Sequence, residues 1–342
     1  MQDGRCVLKQ LRRWLGIALL CVPLMGFAAQ PVVVASIKPV HALVAGVMQG
    51  VGEPRLLIPG GASPHEYSLR PSDTRALGTA QVVFWVGPDL ENVLVKPLAN
   101  AKTARSVALI DTPGLTILPL RAGGAWEAHE HGADHADHAD HADHADHADH
   151  ADHADHADHA DHADDHDSAA SRDAHVWLDP VNAIAMVRRM VVVLSEMDPA
   201  HQTEYARNGA ALIERLDRLD RQLASDLAPI GKQPYLVFHD AYHYFERRYD
   251  LNAVGSVVLD PEQRPGAKRV AEIQARVREH QVRCVFSEPQ FQPALVETVI
   301  AGGNARRGVL DPLGADLPAG PDAYFQLLRG LSEALRGCLA GA

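Results

Sequence analysis

The 342 residues, 46% of them hydrophobic, have a globular composition and suffice for two domains of ordinary size. The formal net charge of −12 comes from one segment: residues 127–167 hold thirteen Asp, Glu127 and Glu130 and no Lys or Arg, a charge of −15, while residues 1–29 carry +3. The rest of the chain is close to neutral, which excludes a broad basic surface and with it nucleic acid as a partner.

Residues 1–29 read as a secretory signal peptide. Arg5, Lys9, Arg12 and Arg13 precede an apolar run from Trp14 to Phe27, and cleavage is expected after Ala28 or Ala29. Cys21 follows Leu20, whereas a lipoprotein signal wants a small residue there, so export as a soluble protein is preferred. No later run of 18 apolar residues exists to span a membrane. Cys284 and Cys338 remain after cleavage, an even pair in an exported chain, and are expected to form one disulfide. By loop-closure entropy, closing that loop is worth about 4 kcal/mol. Two buried free thiols are the alternative.

Short apolar runs alternate with helical patterns along the mature chain. Strands are expected at 32–37, 56–58, 82–86 and 107–110, with helices at 39–48, 72–80 and 91–100 between them. A biased segment, 123–173, follows. His175-Val176-Trp177-Leu178 comes next and leads to Asp179-Pro180, an N-cap and first-turn pair that starts a helix through Leu194. Asp198-Pro199 repeats this start signal before a long helix whose apolar stripe is Leu212, Leu216, Leu219, Leu223 and Leu227. Thirty helical residues span about 45 Å, enough to run along two domains. The second half alternates again: strands at 235–238, 254–258, 284–286 and 309–310, and helices at 241–248, 265–279, 293–300 and 324–339.

This pattern predicts an α/β protein of two similar domains, parallel sheets flanked by helices, bridged by one long rigid helix. The expected boundaries are 30–122 with 174–197 for the first domain, 123–173 for a disordered His/Asp-rich loop, 198–228 for the linker helix and 229–342 for the second domain. Ligands of such sheets bind at the carboxyl ends of the strands, here in the cleft between domains.

Thirteen of the twenty histidines lie in the biased segment. Ala133 to His162 is Ala-Asp-His repeated ten times, contributing His135, His138, His141, His144, His147, His150, His153, His156, His159 and His162; His129, His131 and His166 flank it. A three-residue period drifts around a helix of 3.6 residues per turn and builds no fixed histidine face. The segment has no large apolar residue to bury and a dense negative charge, so it is expected to be disordered without metal. Its imidazoles and carboxylates suit several zinc ions, each bound weakly because a flexible chain must be ordered around it. The expected role is accessory: capturing, buffering or sensing zinc. A tolerated repeat expansion in a surface loop is the plain alternative.

Of the other seven histidines, His65, His175 and His239 sit in loops that follow or precede strands, and they come from both halves of the chain. Three imidazoles converging on a cleft favour zinc over manganese or magnesium, because nitrogen donors suit the later, softer ions. His41 and His243 fall on helices, and His201 and His280 read as solvated helix positions; all four are taken as structural.

The chain also resembles a known family. The stretches that carry the resemblance are Ser36-Ile37-Lys38-Pro39, the run from Gly61-Ala62-Ser63-Pro64-His65-Glu66-Tyr67 to Asp73, and Trp85-Val86-Gly87-Pro88. They continue with His175-Val176-Trp177-Leu178-Asp179-Pro180, Phe238-His239-Asp240-Ala241-Tyr242, Ser287-Glu288-Pro289-Gln290-Phe291 and Leu310-Asp311-Pro312-Leu313-Gly314. In this order, over nearly the whole mature chain, they are similar to the zinc-binding proteins of bacterial ABC importers, of the ZnuA type. The resemblance implies that His65, His175 and His239 are the metal ligands for a transported Zn2+, that the Cys284–Cys338 pair is the family's C-terminal disulfide, and that hinge motion is limited. It further implies a periplasmic monomer that delivers zinc to the permease subunits of an inner-membrane ABC importer driven by a cytoplasmic ATPase, with a zinc-donating periplasmic protein as a further candidate partner. Some zinc-binding members have Glu just before the first histidine; here that residue is Pro64. Asp311 or a water is left as the fourth ligand. Two competing readings are an exported zinc-storage protein, in which the tract is the function, and a zinc hydrolase with Glu66 as its base. The latter finds no His-Glu-x-x-His, and only the near-match at His129–His135 within low-complexity sequence.

Overall fold

The computed structural model describes residues 30–101, 104–121, 126, 172–258, 261, 263 and 265–340. The expected signal peptide and the thirteen tract histidines lie outside the described residues. Contacts divide the chain into a short N-terminal unit, Met1–Gln30, and a main unit, Pro31–Ala342, which holds both sheets and their helices. Among the described residues no helix is long and apolar enough to cross a membrane.

Two four-stranded sheets, all parallel, form two lobes. The first joins β1 (Val33–Ala35), β2 (Arg55–Leu56), β3 (Val82–Trp85) and β4 (Arg105–Ala108) in the order β2-β1-β3-β4. The second joins β5 (Tyr235–Val237), β6 (Ala253–Ser256), β7 (Cys284–Ser287) and β8 (Arg306–Val309) in the equivalent order β6-β5-β7-β8. Central strands such as β3 and β7 are buried along their whole length, as continuous apolar runs in parallel sheets must be. In each lobe the chain reverses direction between the first and third strands, which opens a crevice at their carboxyl ends.

The helices follow the expected alternation: α1 (Lys38–Val47), α2 (Pro71–Thr79) and α3 (Asn92–Asn100) in lobe 1, then α4 (Pro180–Met197) and α5 (Gln202–Leu227). Lobe 2 adds α6 (His243–Tyr249), α7 (Ala267–Glu279), α8 (Ala294–Ile300) and α9 (Ala323–Leu339). Asp179 caps α4 as expected, accepting from Val181 N at 2.8 Å, with Pro180 in the first turn. The long helix is α5, preceded by a 3-10 turn at Pro199–His201 and followed by another at Ala228–Ile230. Its leucine stripe at 212, 216, 219, 223 and 227 is buried, and α5 packs against α4 and α1 as well as α9, so one helix serves both lobes. The apolar core runs without a break from β1 and β3 through α1, α4 and α5 to α9; a smaller cluster lies beneath α7 and α8.

Three elements depart from expectation. Val176–Leu178 is a buried 3-10 turn, with Leu178 N bonded to His175 O, so His175 precedes a turn and not a strand. The strand expected at 107–110 is β4, ending at Ala108, and Leu109–Asp111 curls into a 3-10 turn. The last strand begins at Arg306 and ends at Val309. The expected disulfide is present: Cys284, at the start of β7, is bonded to Cys338 near the end of α9, 54 residues on.

Candidate metal centre

His65 lies in the long loop between β2 and α2, His175 is the residue before the 3-10 turn that leads into α4, and His239 follows β5. Although 64 to 174 residues separate them in sequence, one ring nitrogen of each lies within 4.8 Å of the others, and the ring centroids are 5.4 to 5.8 Å apart. The walls are apolar: Pro64, Trp177, Phe291, Pro312 and Leu313 surround the three imidazoles.

Buried carboxylates fix two of the rings. His175 Nδ1 lies 2.8 Å from Asp173 Oδ1, which also accepts the His175 backbone N–H at 3.0 Å. His239 Nδ1 lies 2.7 Å from Glu288 Oε1. An ionised carboxylate can only accept, so each Nδ1 carries a proton, and in the neutral ring Nε2 is left as the acceptor. His239 Nε2 is buried with no hydrogen-bond partner among the described residues, an orphaned acceptor that a cation would satisfy. A carboxylate behind each imidazole is the arrangement that orients metal-bound histidines and raises their basicity. His239 and Glu288 follow β5 and β7, neighbours in the sheet, so the pair bridges the crevice where the strand order reverses.

The electrostatics separate the three rings. Burial, then the neighbouring imidazoles of His175 and His239, push His65 down to about 3, so it is neutral and ready to donate at any physiological pH. Burial acts against charge on His239 too, but Glu288 outweighs it and holds that imidazole above its ordinary value. Asp173, though buried, is kept below the ordinary carboxylate range by its bonds to His175 and His243.

The remaining expected residues fall elsewhere. Asp311 is not part of the cluster: Oδ1 accepts from Leu313 N, Gly314 N and Gln290 Nε2 at 2.9 to 3.1 Å, and Oδ2 accepts from Ala315 N. Both oxygens are engaged by the turn after it, and Asp311 is not among the residues whose ligand atoms cluster with the three imidazoles. Glu66, the base of the hydrolytic alternative, is exposed and forms no part of the cleft wall. His41 is buried on α1 with Nε2 3.0 Å from Pro54 O, His201 pairs with Asp198 at 2.7 Å, His243 opens α6 and His280 ends α7 in solvent. The roles of Asp173 and Glu288 were not foreseen. The signal for Glu288 was its place directly after the strand beside His239; the signal for Asp173 was a carboxylate two residues before His175.

Two parallel sheets of equal topology, a single long helix serving both, and three imidazoles gathered between them define a two-lobed metal-binding protein of the rigid-helix kind. The profile of the family described as zinc-uptake complex component A, periplasmic, matches residues 33–338. The chain is 50% identical over 309 residues to the high-affinity zinc uptake system protein ZnuA of Brucella suis, covering 90% of this chain and 91% of that one. It is 43% identical over 328 residues to the protein of the same name from Paracoccus denitrificans, covering 95% and 97%. A crystal structure of ZnuA superposes with a TM-score of 0.69 at 21% identity, over 91% of this chain and all of the other, which is a likeness of fold. The chain belongs to the ZnuA family of zinc-uptake components.

Proposed function

We propose that this protein is the capture component of a zinc importer. It binds one Zn2+ between its lobes through His65, His175 and His239 and delivers it, in the periplasm, to the permease of an ABC importer whose ATPase drives release. The observation that carries this reading is the convergence of three imidazoles, two held by buried carboxylates, on an orphaned Nε2. Three neutral nitrogen donors suit a tetrahedral zinc ion, and a water as fourth ligand is favoured over Asp311, whose carboxylate already accepts four hydrogen bonds. The cargo and the uptake system are those that the relatives' names carry. Nothing in the proposal requires bond chemistry; the chain binds, holds and releases.

The tract is accessory in this reading, supplying weak zinc sites beside a strong one. Deleting residues 127–168 should leave a single tight zinc site by calorimetric titration, and His239→Ala in that background should remove it. If the deletion abolishes all tight binding, the storage reading takes its place. For the tract itself the test is growth on the deleted variant at limiting zinc; normal uptake at every supply would remove an accessory role.

A further inference from the structure

The two segments that flank residues 127–171 form a narrow ribbon. Pro119 and Arg172 make an antiparallel bridge, and Asp173 N donates to Leu118 O at 2.9 Å. This ribbon extends from lobe 1 yet rests on α6 of lobe 2. The Tyr244 hydroxyl accepts from Leu118 N at 3.0 Å and donates to Asp173 O at 2.8 Å, so it binds both legs. Beside it, Arg121 reaches two lobe 2 carboxylates. Its Nε donates to Asp240 Oδ2 at 2.9 Å, its Nη2 also bonds Asp240, and its Nη1 lies 2.7 Å from the buried Glu246 Oε2. The Trp126 ring covers the guanidinium at 3.6 Å.

The ribbon therefore bonds one of the three imidazoles directly and reaches the chain neighbour of a second. Asp173 bonds His175 directly. Arg121 grips Asp240, the residue after His239, and Glu246, on the helix that the His239 loop enters. We propose that Arg121 is a positioning residue for the metal site: it fastens a two-legged strap that sets how closely His239 approaches His175, and thereby how long the ion stays. The proposal rests on the three-histidine reading above. The fold does not depend on this fastening, because the shared core and α5 join the lobes independently. Contacts that hold a site in its bound geometry act on dissociation more than on encounter. The bidentate fork fixes direction as well as charge, which lysine cannot reproduce.

The test uses the whole chain with Arg121→Ala, Arg121→Lys, Tyr244→Phe and His239→Ala, with zinc release timed by a chelator in stopped flow. Arg121→Ala should release zinc on the order of tenfold faster, the low end of the range for residues that orient metal ligands, with association changed less than twofold. Arg121→Lys should fall between it and the wild type, and Tyr244→Phe should move in the same direction. In the metal-free protein, amide exchange of residues 239–242 should quicken in Arg121→Ala while that of α5 stays unchanged. A merely structural role would instead quicken exchange throughout α5 and leave the release rate of the folded protein at the wild-type value. Wild-type release from Arg121→Ala would overturn the proposal; should that variant not fold, wild-type release from both Arg121→Lys and Tyr244→Phe would do so. Undiminished zinc affinity in His239→Ala would instead overturn the three-histidine reading.

Discussion

Three backbone amides decide what Asp311 does. With Leu313, Gly314 and Ala315 all donating to its carboxylate, the side chain organises a turn whose carbonyls face lobe 1. Asp311→Ala should therefore keep zinc stoichiometry at one while lowering urea stability by about 2 kcal/mol, since buried donors lose their acceptor. Glu288→Gln and Asp173→Asn should do the reverse, preserving most stability and weakening zinc by roughly 10–100-fold in a competition titration. His239 sets the pH response. Its raised value means a proton persists above 6.5 and must leave for zinc to bind, so affinity should fall by up to about tenfold per pH unit as pH drops through that range. His65, at about 3, contributes nothing to this slope. In the metal-free protein the same shift has the opposite sign: the Glu288 pairing stabilises the fold below the unfolded value and is lost as pH rises through the folded one. Titrating affinity and stability between pH 5.5 and 8.5 checks both; an affinity independent of pH would count against histidine ligation. The convergence of His65 and His239 was legible because loops beside strands gather at the carboxyl edge of such sheets, whereas His175 joins them ahead of a 3-10 turn. Asp311 is harder to read, because a carboxylate before proline looks the same whether it faces an ion or its own backbone.

At the scale of elements, the apolar runs marked the buried strands and failed at the sheet edges. β4 and β8 are edge strands, and they open with Arg105-Ser106 and Arg306-Arg307, side chains that a run of hydrophobic residues does not include. Leu57 and Ile58 erred the other way: they lie beyond β2, yet their amides still bond Ala35 O and Ser36 O. The α4–α5 crossing depends on Gly209, where an added Cβ would stand 2.4 Å from Val191 Cγ2. Gly209→Leu should cost about 1–3 kcal/mol by thermal or urea unfolding through overpacking, although leucine is the better helix former. Glu91 closes the lobe 1 crevice in the way Glu288 serves lobe 2. Its buried carboxylate accepts from Ser36 Oγ, Val86 N and Gly87 N, tying the ends of β1 and β3, and burial raises it to about 7. Glu91→Ala should lower stability by about 2–4 kcal/mol, with the zinc site intact in the folded fraction.

Over the whole molecule, the seam between the lobes is polar at its mouth and apolar beneath. Lys38 Nζ donates to Gly314 O, Ala315 O and Leu317 O, Trp177 Nε1 to Pro312 O at 2.9 Å, and Gln290 Nε2 to Gly60 O at 3.2 Å. With one core beneath these bonds, zinc binding should leave the small-angle scattering profile unchanged, whereas Lys38→Met should raise amide exchange in the 312–317 turn. The two-sheet plan and the long helix were readable from alternation and from the leucine stripe. The seam was not, because it is built from backbone carbonyls that no residue pattern advertises. Strand β7 adds a consequence of a different kind: it carries Cys284 at one end and leads into Glu288, behind His239, at the other. Thiolates hold zinc more avidly than imidazoles do, so a reduced Cys284–Cys338 pair would be a rival for the cargo within the carrier itself. Sealed as a disulfide, the pair has no thiolate to offer, and that rival is removed.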